Sequence, residues 1–305
     1  MPFILNRFLQ MLVTLLIMAT MVFLAIRLTP GDPAQIFLGD VGSPHQYQSL
    51  RELMGLDRPL YVQYAEFLQG LFTADLGESL FDGRPVMDRI SRRILPTVTL
   101  ALTTMVGVVL LGVPLGLLSA AVPGSFLDTV IRMVTYSVQA VANFWLAILL
   151  IMFFSIRLRW FPAFGAGGPS HLILPAVSLG IPFLARVVRF VRGGIVEVLD
   201  SDFVRTARSK GLSEVVVVTK HAFRVTLIPL ITDLGLRLGW LLGGTVIIET
   251  VFAWPGLGSL TVEAVRTRDY PLVEGSVLIL SAFFLVTNFF IDLSYGLLDP
   301  RIRYG

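Results

Sequence analysis

A chain of 305 residues that is 55% hydrophobic and only 15% charged lies outside the range of soluble domains, whose charged share is about 25%, and reads as an integral membrane protein. Its formal charge of +3 does not point to nucleic acid, because the arginines and lysines are spread over loops between apolar runs and form no stripe. The lack of cysteine excludes disulfides, thiolate metal sites and a cysteine nucleophile, and His45, His171 and His221 lack the close spacing that predicts a metal site.

The first apolar run, 8–26, is uncharged between Arg7 and Arg27 and long enough to cross a hydrocarbon core, which takes about 20 residues. A cleaved signal peptide is the rival reading; Leu28-Thr29-Pro30-Gly31-Asp32-Pro33 offers no small-x-small cleavage site and argues against it. Residues 29–93 are polar and punctuated by Pro30, Pro33, Pro44, Pro59 and Pro85, as expected of an extramembrane segment. Within it, 60–72 carries Tyr61, Tyr64, Phe67 and Leu68 at helical spacing and is expected to lie along the bilayer surface.

Further apolar runs follow at 97–121, 133–156, 171–188, 227–252 and 272–295, so the expectation is an all-α membrane protein with six transmembrane helices. Pro96 should open the second span and Pro114 kink it. The fourth, interrupted by Pro175, Gly180 and Pro182 and ending in Arg186, Arg189 and Arg192, is expected to be the least regular. With the amino terminus in the cytoplasm, the inner side carries Arg7, Arg132, the three arginines of the fourth span, Arg205, Arg208, Lys210, Lys220, Arg224, Arg301 and Arg303. The short outer loops then carry only Arg157, Arg159, Arg266 and Arg268, while the long 29–93 segment is exempt from the charge bias. Both termini are therefore expected in the cytoplasm.

Between the fourth and fifth spans lies a charged insert, 201–229, which holds the only lysines, Lys210 and Lys220. Asp202 is placed to cap a short helix over 203–210, Gly211 to end it in a left-handed turn, and Ser213 with Glu214 to start a second helix. A helix that short needs a membrane surface or a protein partner to hold it. Two readings stand: a docking element, or an ordinary basic cytoplasmic loop.

Inside the spans, Asp233 and Arg237 sit four apart in the order that favours an ion pair. They read either as a self-neutralising structural pair or as a site where Arg237 meets a substrate carboxylate. Asn288 and Asp292 read as structural, and 160–164 and 254–258 as interfacial aromatics with turn residues. No G-x-x-x-x-G-K-[ST] phosphate loop occurs, so ATP hydrolysis by that route belongs elsewhere. A secondary transporter would need intramembrane carboxylates along a path, and a membrane enzyme a catalytic constellation; neither pattern is found.

Several motifs stand in fixed order: Leu28-Thr29-Pro30-Gly31-Asp32-Pro33, Leu56-Asp57-Arg58-Pro59-Leu60, Asp75-Leu76-Gly77, and Arg205-Thr206-Ala207-Arg208-Ser209-Lys210-Gly211-Leu212. Glu249-Thr250-Val251-Phe252-Ala253-Trp254-Pro255-Gly256-Leu257-Gly258, Arg268-Asp269-Tyr270-Pro271 and Asp299-Pro300-Arg301-Ile302-Arg303 follow. In this order they resemble the permease subunits of binding-protein-dependent ABC importers, in the dipeptide, oligopeptide and nickel branch, over nearly the whole chain. The resemblance implies a type I importer transmembrane domain: a first helix with a long periplasmic segment (1–95), five further helices (96–299) and a short cytoplasmic tail (300–305). It implies that about 193–226 is the coupling loop seated on an ATPase subunit, with Arg205, Thr206, Ala207, Arg208, Lys210, Gly211, Leu212 and His221 in its motif. In the wider family this loop reads Glu-Ala-Ala, three residues, Gly, nine residues, Ile-x-Leu-Pro. Here Arg205-Thr206-Ala207 stands for the first triplet, Gly211 matches, and His221-Ala222-Phe223-Arg224 replaces the last group, as in the peptide branch.

Local chemistry fits that role: Gly211 allows a sharp angle, small Ala207 a close approach to a partner, and Arg205, Arg208 and Lys210 pairing with acidic groups there. The resemblance further implies that Trp254, Pro255, Gly256 and Gly258 lie at the periplasmic mouth. The partners it implies are a second permease, favoured as a different related chain, two ATPases that use ATP and magnesium, and a periplasmic substrate-binding protein, all in the inner membrane system. This chain would bind no cofactor, metal or nucleic acid and would not be an enzyme.

Overall fold

The computed structural model describes residues 2–29, 31–38 and 43–298. Pro30 of the first motif, the Asp299 to Arg303 motif and the 300–305 tail lie outside the described residues. The described chain is helical, with one antiparallel bridge, Glu78 to Pro85. The described residues group into two units, one within 1–97 with 255–286 and the other within 98–254 with 287–298. Among the described residues, five helices are long and apolar enough to cross a membrane, and a bent pair makes a sixth if counted as one span.

In the first unit, α1 (Pro2–Leu28) is followed by α2 (Pro33–Leu38), α3 (Pro44–Leu53) and α4 (Leu60–Thr73). Ser43 caps α3 in a reciprocal box with Gln46. On α4 the expected surface-lying stripe is largely turned inward: Tyr64 and Phe67 stack on Phe23 of α1, with ring centroids 5.1 and 5.5 Å away, and Tyr64 hydrogen-bonds Thr20 at 2.7 Å. Only Tyr61 stays well exposed. Packing on Phe23 buries aromatic area, and Thr20 satisfies the Tyr64 hydroxyl away from water.

Helix α5 (Val86–Ala121) begins well before the expected 97 and runs through Pro96 and Pro114. The arginines of 89–93 disguise its start, yet Val86, Ile90 and Ile94 share one face. That face joins a core with Leu257, Leu260 and Ala264 of α13 (Leu257–Thr267) and Leu272 and Val273 of α14 (Tyr270–Leu298).

In the second unit, the uncharged 133–156 run is not one helix. It comprises α6 (Phe126–Gln139) and α7 (Asn143–Leu150), the latter prolonged by a π-helical turn over Ile151–Arg157, and the two pieces bend by 103°. Hydropathy is blind to such a break because both pieces are apolar.

The expected least regular span is instead the unbroken 30-residue α8 (Pro169–Val198), which passes through Pro175 and Pro182 and is the most buried of the long helices. Packing restores what the prolines remove. Methyl groups added at Gly112 and Gly116 of α5 would fall within 3.0 Å of Val187 and 2.7 Å of Val191 of α8, so these small residues allow the close helix approach. Arg186, Arg189 and Arg192 therefore lie within α8 and not at its end.

Candidate functional site

After α8, Ser201 takes the extended backbone of an N-cap (φ −69°, ψ 154°) and α9 (Asp202–Ser209) follows; Ser201, not Asp202, is the cap, and its side chain makes no capping bond. The helix ends at Lys210, and Gly211 adopts φ +75°, the left-handed conformation expected of it. Ser213 then caps α10 (Glu214–Val216), which continues through a π-helical turn, Val217–Ala222, into α11 (Phe223–Gly244). The second helix of the insert thus leads without a break into the fifth span, α10, the π-helical turn and α11 forming one 31-residue helix from Glu214 to Gly244.

What holds α9 is its own chain. Val204 and Ala207 are buried against Val217, so Ala207 faces inward rather than toward a partner, because the sharp turn at Gly211 folds α9 back onto the helix that follows. Arg208 is also taken internally: its Nε and Nη2 donate to Glu214 at 3.1 and 2.6 Å, and its Nη1 to the Leu199 carbonyl at 3.3 Å. The hydrogen bonds from Arg208 hold the Glu214 carboxyl below its ordinary range, and those to Glu214 raise the guanidinium.

The outward face carries the rest of the expected set. Arg205, Thr206, Lys210 and Gly211 are exposed, beside Phe203 (43% exposed), Leu212 (38%) and Val215 (67%). Half-buried His221 lines a depression with Phe203, Lys220, Arg224 and Val225. Exposed apolar side chains interspersed with cations are suited to a partner with apolar pockets and acidic edges.

Asp233 and Arg237 form the expected pair, with Nε to Oδ2 at 2.5 Å and Nη2 to Oδ1 at 2.6 Å. They border a cavity of about 520 Å³ lined also by Gln139, Asn143, Phe183, Arg186 and Trp240. The fork geometry uses both carboxylate oxygens, so Asp233 is neutralised where it stands.

Of the 254–258 group, Trp254 is buried (6% exposed), not an interfacial aromatic; its backbone N–H bonds the Glu249 carbonyl at 2.8 Å, and α12 (Val246–Val251) precedes it. Gly256 caps α13, and Gly258 is buried in its first turn. Pro255 is half-buried between the two helices. Trp160 and Phe164 are exposed, as expected of interfacial aromatics.

Sequence reasoning overlooked three buried charge clusters. Asp128, fully buried, accepts two bonds from Arg192 (2.6 and 2.8 Å), one from Ser119 (2.6 Å) and one from the Gly124 N–H (2.9 Å), pinning the α5–α6 turn to α8. In the first unit, Arg27 pairs with buried Glu274 and lies over the Phe23 ring at 3.5 Å. Asp269 accepts from the Ser79 hydroxyl and from the Leu80 N–H at 3.1 Å, while Arg268 reaches the Gly31 carbonyl at 3.2 Å. The Arg268-Asp269 motif thereby binds the segment beside Asp75-Leu76-Gly77 and the described part of the first motif. Charges embedded in apolar runs were the signal that could have flagged Asp128 and Glu274.

The family described as the binding-protein-dependent transport system inner membrane component matches residues 112–304, and its N-terminal membrane component matches residues 1–103. Over 302 residues, 99% of each chain, this chain is 39% identical to the glutathione transport system permease protein GsiC of Escherichia coli (strain K12) and 40% identical to that of Salmonella typhi. A solved amino acid ABC transporter with histidines shares the fold, with a TM-score of 0.55 at 16% identity over 68% of this chain and 92% of that one.

Proposed function

This chain belongs to the family of binding-protein-dependent transport system inner membrane components, and from that premise we propose that it carries di- or oligopeptides, or a related small solute, from periplasm to cytoplasm. It is a permease subunit of an ABC importer, with the fold of a type I importer membrane domain, and not itself an enzyme. The family implies a substrate-binding protein, another permease and ATPase subunits as partners in general. In our reading the other permease is a different, related chain. Two ATPases on the cytoplasmic side use ATP and magnesium, this chain binds no cofactor, the binding protein delivers cargo outside, and both termini are cytoplasmic.

The observation that carries the coupling role is the helix, Gly211 turn and helix of 202–222, with Phe203, Leu212 and Val215 outward among Arg205 and Lys210. Because α9 packs on Val217, which lies in the unbroken helix that runs from α10 into α11, a push on the outer face of α9 is delivered to a span and not absorbed. Nucleotide-driven closure of the ATPases then rocks the spans between inward-open and outward-open states. The peptide class is supported by the relatives named for glutathione transport.

The test is assembly of the Phe203→Asp/Leu212→Asp double variant, both positions being exposed. It should insert and keep its thermal stability, yet lose the ATPases that co-purify with wild type. Retention of the ATPases, or uptake by this chain alone without ATP, refutes the coupling reading.

A further inference from the structure

Among the cations of α8, Arg186 stands apart. Arg189 lies over the Tyr136 ring at 5.0 Å and Arg192 is bidentate to Asp128, whereas Arg186 has no hydrogen-bond or ion-pair partner among the described residues. It is exposed and lies within α8, beyond the uncharged first half of that helix and before Arg189 and Arg192. A guanidinium without a partner at such a position is costly against lipid, and a water-filled path or a charged guest removes that cost. The cavity it borders supplies that path.

The other groups of this cavity define the guest. Asp233 and Arg237 cancel each other, so the lining carries one net positive charge, that of Arg186. Phe183 and Trp240 form an aromatic shelf with centroids 5.5 Å apart, and Trp240 keeps half its surface open. Gln139 and Asn143, flanking the α6–α7 bend, bring two amides that both donate and accept.

Resting on the permease reading above, we propose that this cavity is a transit subsite in which Arg186, not Arg237, receives a carboxylate of the cargo. The amides of Gln139 and Asn143 meet its polar backbone, and Phe183 and Trp240 its apolar body. A guanidinium fork matches a carboxylate with two parallel hydrogen bonds. The ligand class is therefore a small solute with a free carboxylate and an apolar side group.

The natural absence of cysteine permits a direct test. A thiol introduced as Asn143→Cys in the full chain, assembled with its partners in membrane vesicles, is labelled with methanethiosulfonates bearing either a sulfonate or a trimethylammonium group, scored by the mass of this chain. The sulfonate reagent should react faster, with a rate ratio on the order of tenfold above that at a Val215→Cys control, since the two reagents differ by two charges close to Arg186. Adding Arg186→Gln should abolish the excess, Arg186→Lys should retain it, and neither should change the ratio at the control. Alanylphenylalanine should slow labelling, and its C-terminal amide should not. A ratio indifferent to Arg186 overturns the proposal, as does equal protection by acid and amide or protection by neither. ATP-driven uptake is measured on vesicles holding the unsubstituted chain: its absence strikes the importer reading, while the charge preference at the introduced thiol is scored independently.

Discussion

Replacing Gly116 by alanine tests whether close approach of α5 and α8 holds the second unit together. The added methyl would stand 2.7 Å from Val191 Cβ and 2.9 Å from the Val188 carbonyl oxygen, both on or near the partner backbone and unable to swing away. Overpacking of this kind costs about 1–3 kcal/mol, and the better helix propensity of alanine returns about 0.8–1.0 kcal/mol. The net loss is about 0–2 kcal/mol, or a fall of up to about 4–8 °C in apparent melting temperature. Gly112, where the nearest atoms are Val187 side-chain carbons at 3.0 and 3.2 Å, should come out near neutral after the same offset. Gly107 has nothing within 4 Å and should gain up to about 1 kcal/mol. Melting curves of the three variants in one detergent give the order Gly107→Ala, Gly112→Ala, Gly116→Ala from most to least stable. A Gly116→Ala protein that melts at or above Gly107→Ala refutes the seam.

Arg192→Leu strands the buried Asp128 carboxylate and should cost about 3–5 kcal/mol, read as a collapse in monodisperse yield or melting temperature; a change under a third of that would show the remaining donors suffice. Gly211→Pro imposes φ near −65° on a residue held at +75°, and should leave insertion intact while separating ATP hydrolysis from uptake. Coupled uptake at the wild-type level would count against the turn. Glu214→Gln removes a half-exposed ion pair worth about 0.2–1 kcal/mol. Because Arg208 lowers the folded-state value of this carboxyl, its stabilisation is complete above the ordinary 4.5 and is lost as pH falls through the lowered value. Melting of wild type and variant should therefore differ at pH 7 and converge in acid; a constant gap contradicts the assignment. Arg237→Ala should reduce the amount of folded protein without altering the half-saturating concentration of the remaining uptake, whereas a raised half-saturation would return Arg237 to the cargo.

Much of the candidate coupling site was legible in the chain. Gly211 and Ser213 stand where turn chemistry demands them, and the basic character of the insert survives as the exposed Arg205 and Lys210. The orientations of Ala207 and Arg208 were not legible, because each is set by a residue beyond the turn, Val217 and Glu214, whose proximity exists only once the turn has closed. The same holds for Trp254, whose aromatic character is compatible with either an interface or a core.

By itself the sequence determined the membrane class, the approximate spans, the family and the helix-turn-helix insert, since hydropathy, length and turn residues act over short stretches of chain. Only the tertiary structure decided that α5 starts at Val86, that the 133–156 run is bent, and that α8 stays whole through two prolines. It also decided which arginines of α8 are paired and which one borders the cavity. Those outcomes depend on whether a distant partner arrives to satisfy a face, a carbonyl or a charge. Arg192 and Arg186 are chemically identical on the same helix, and the presence of Asp128 beside one and a cavity beside the other separates them.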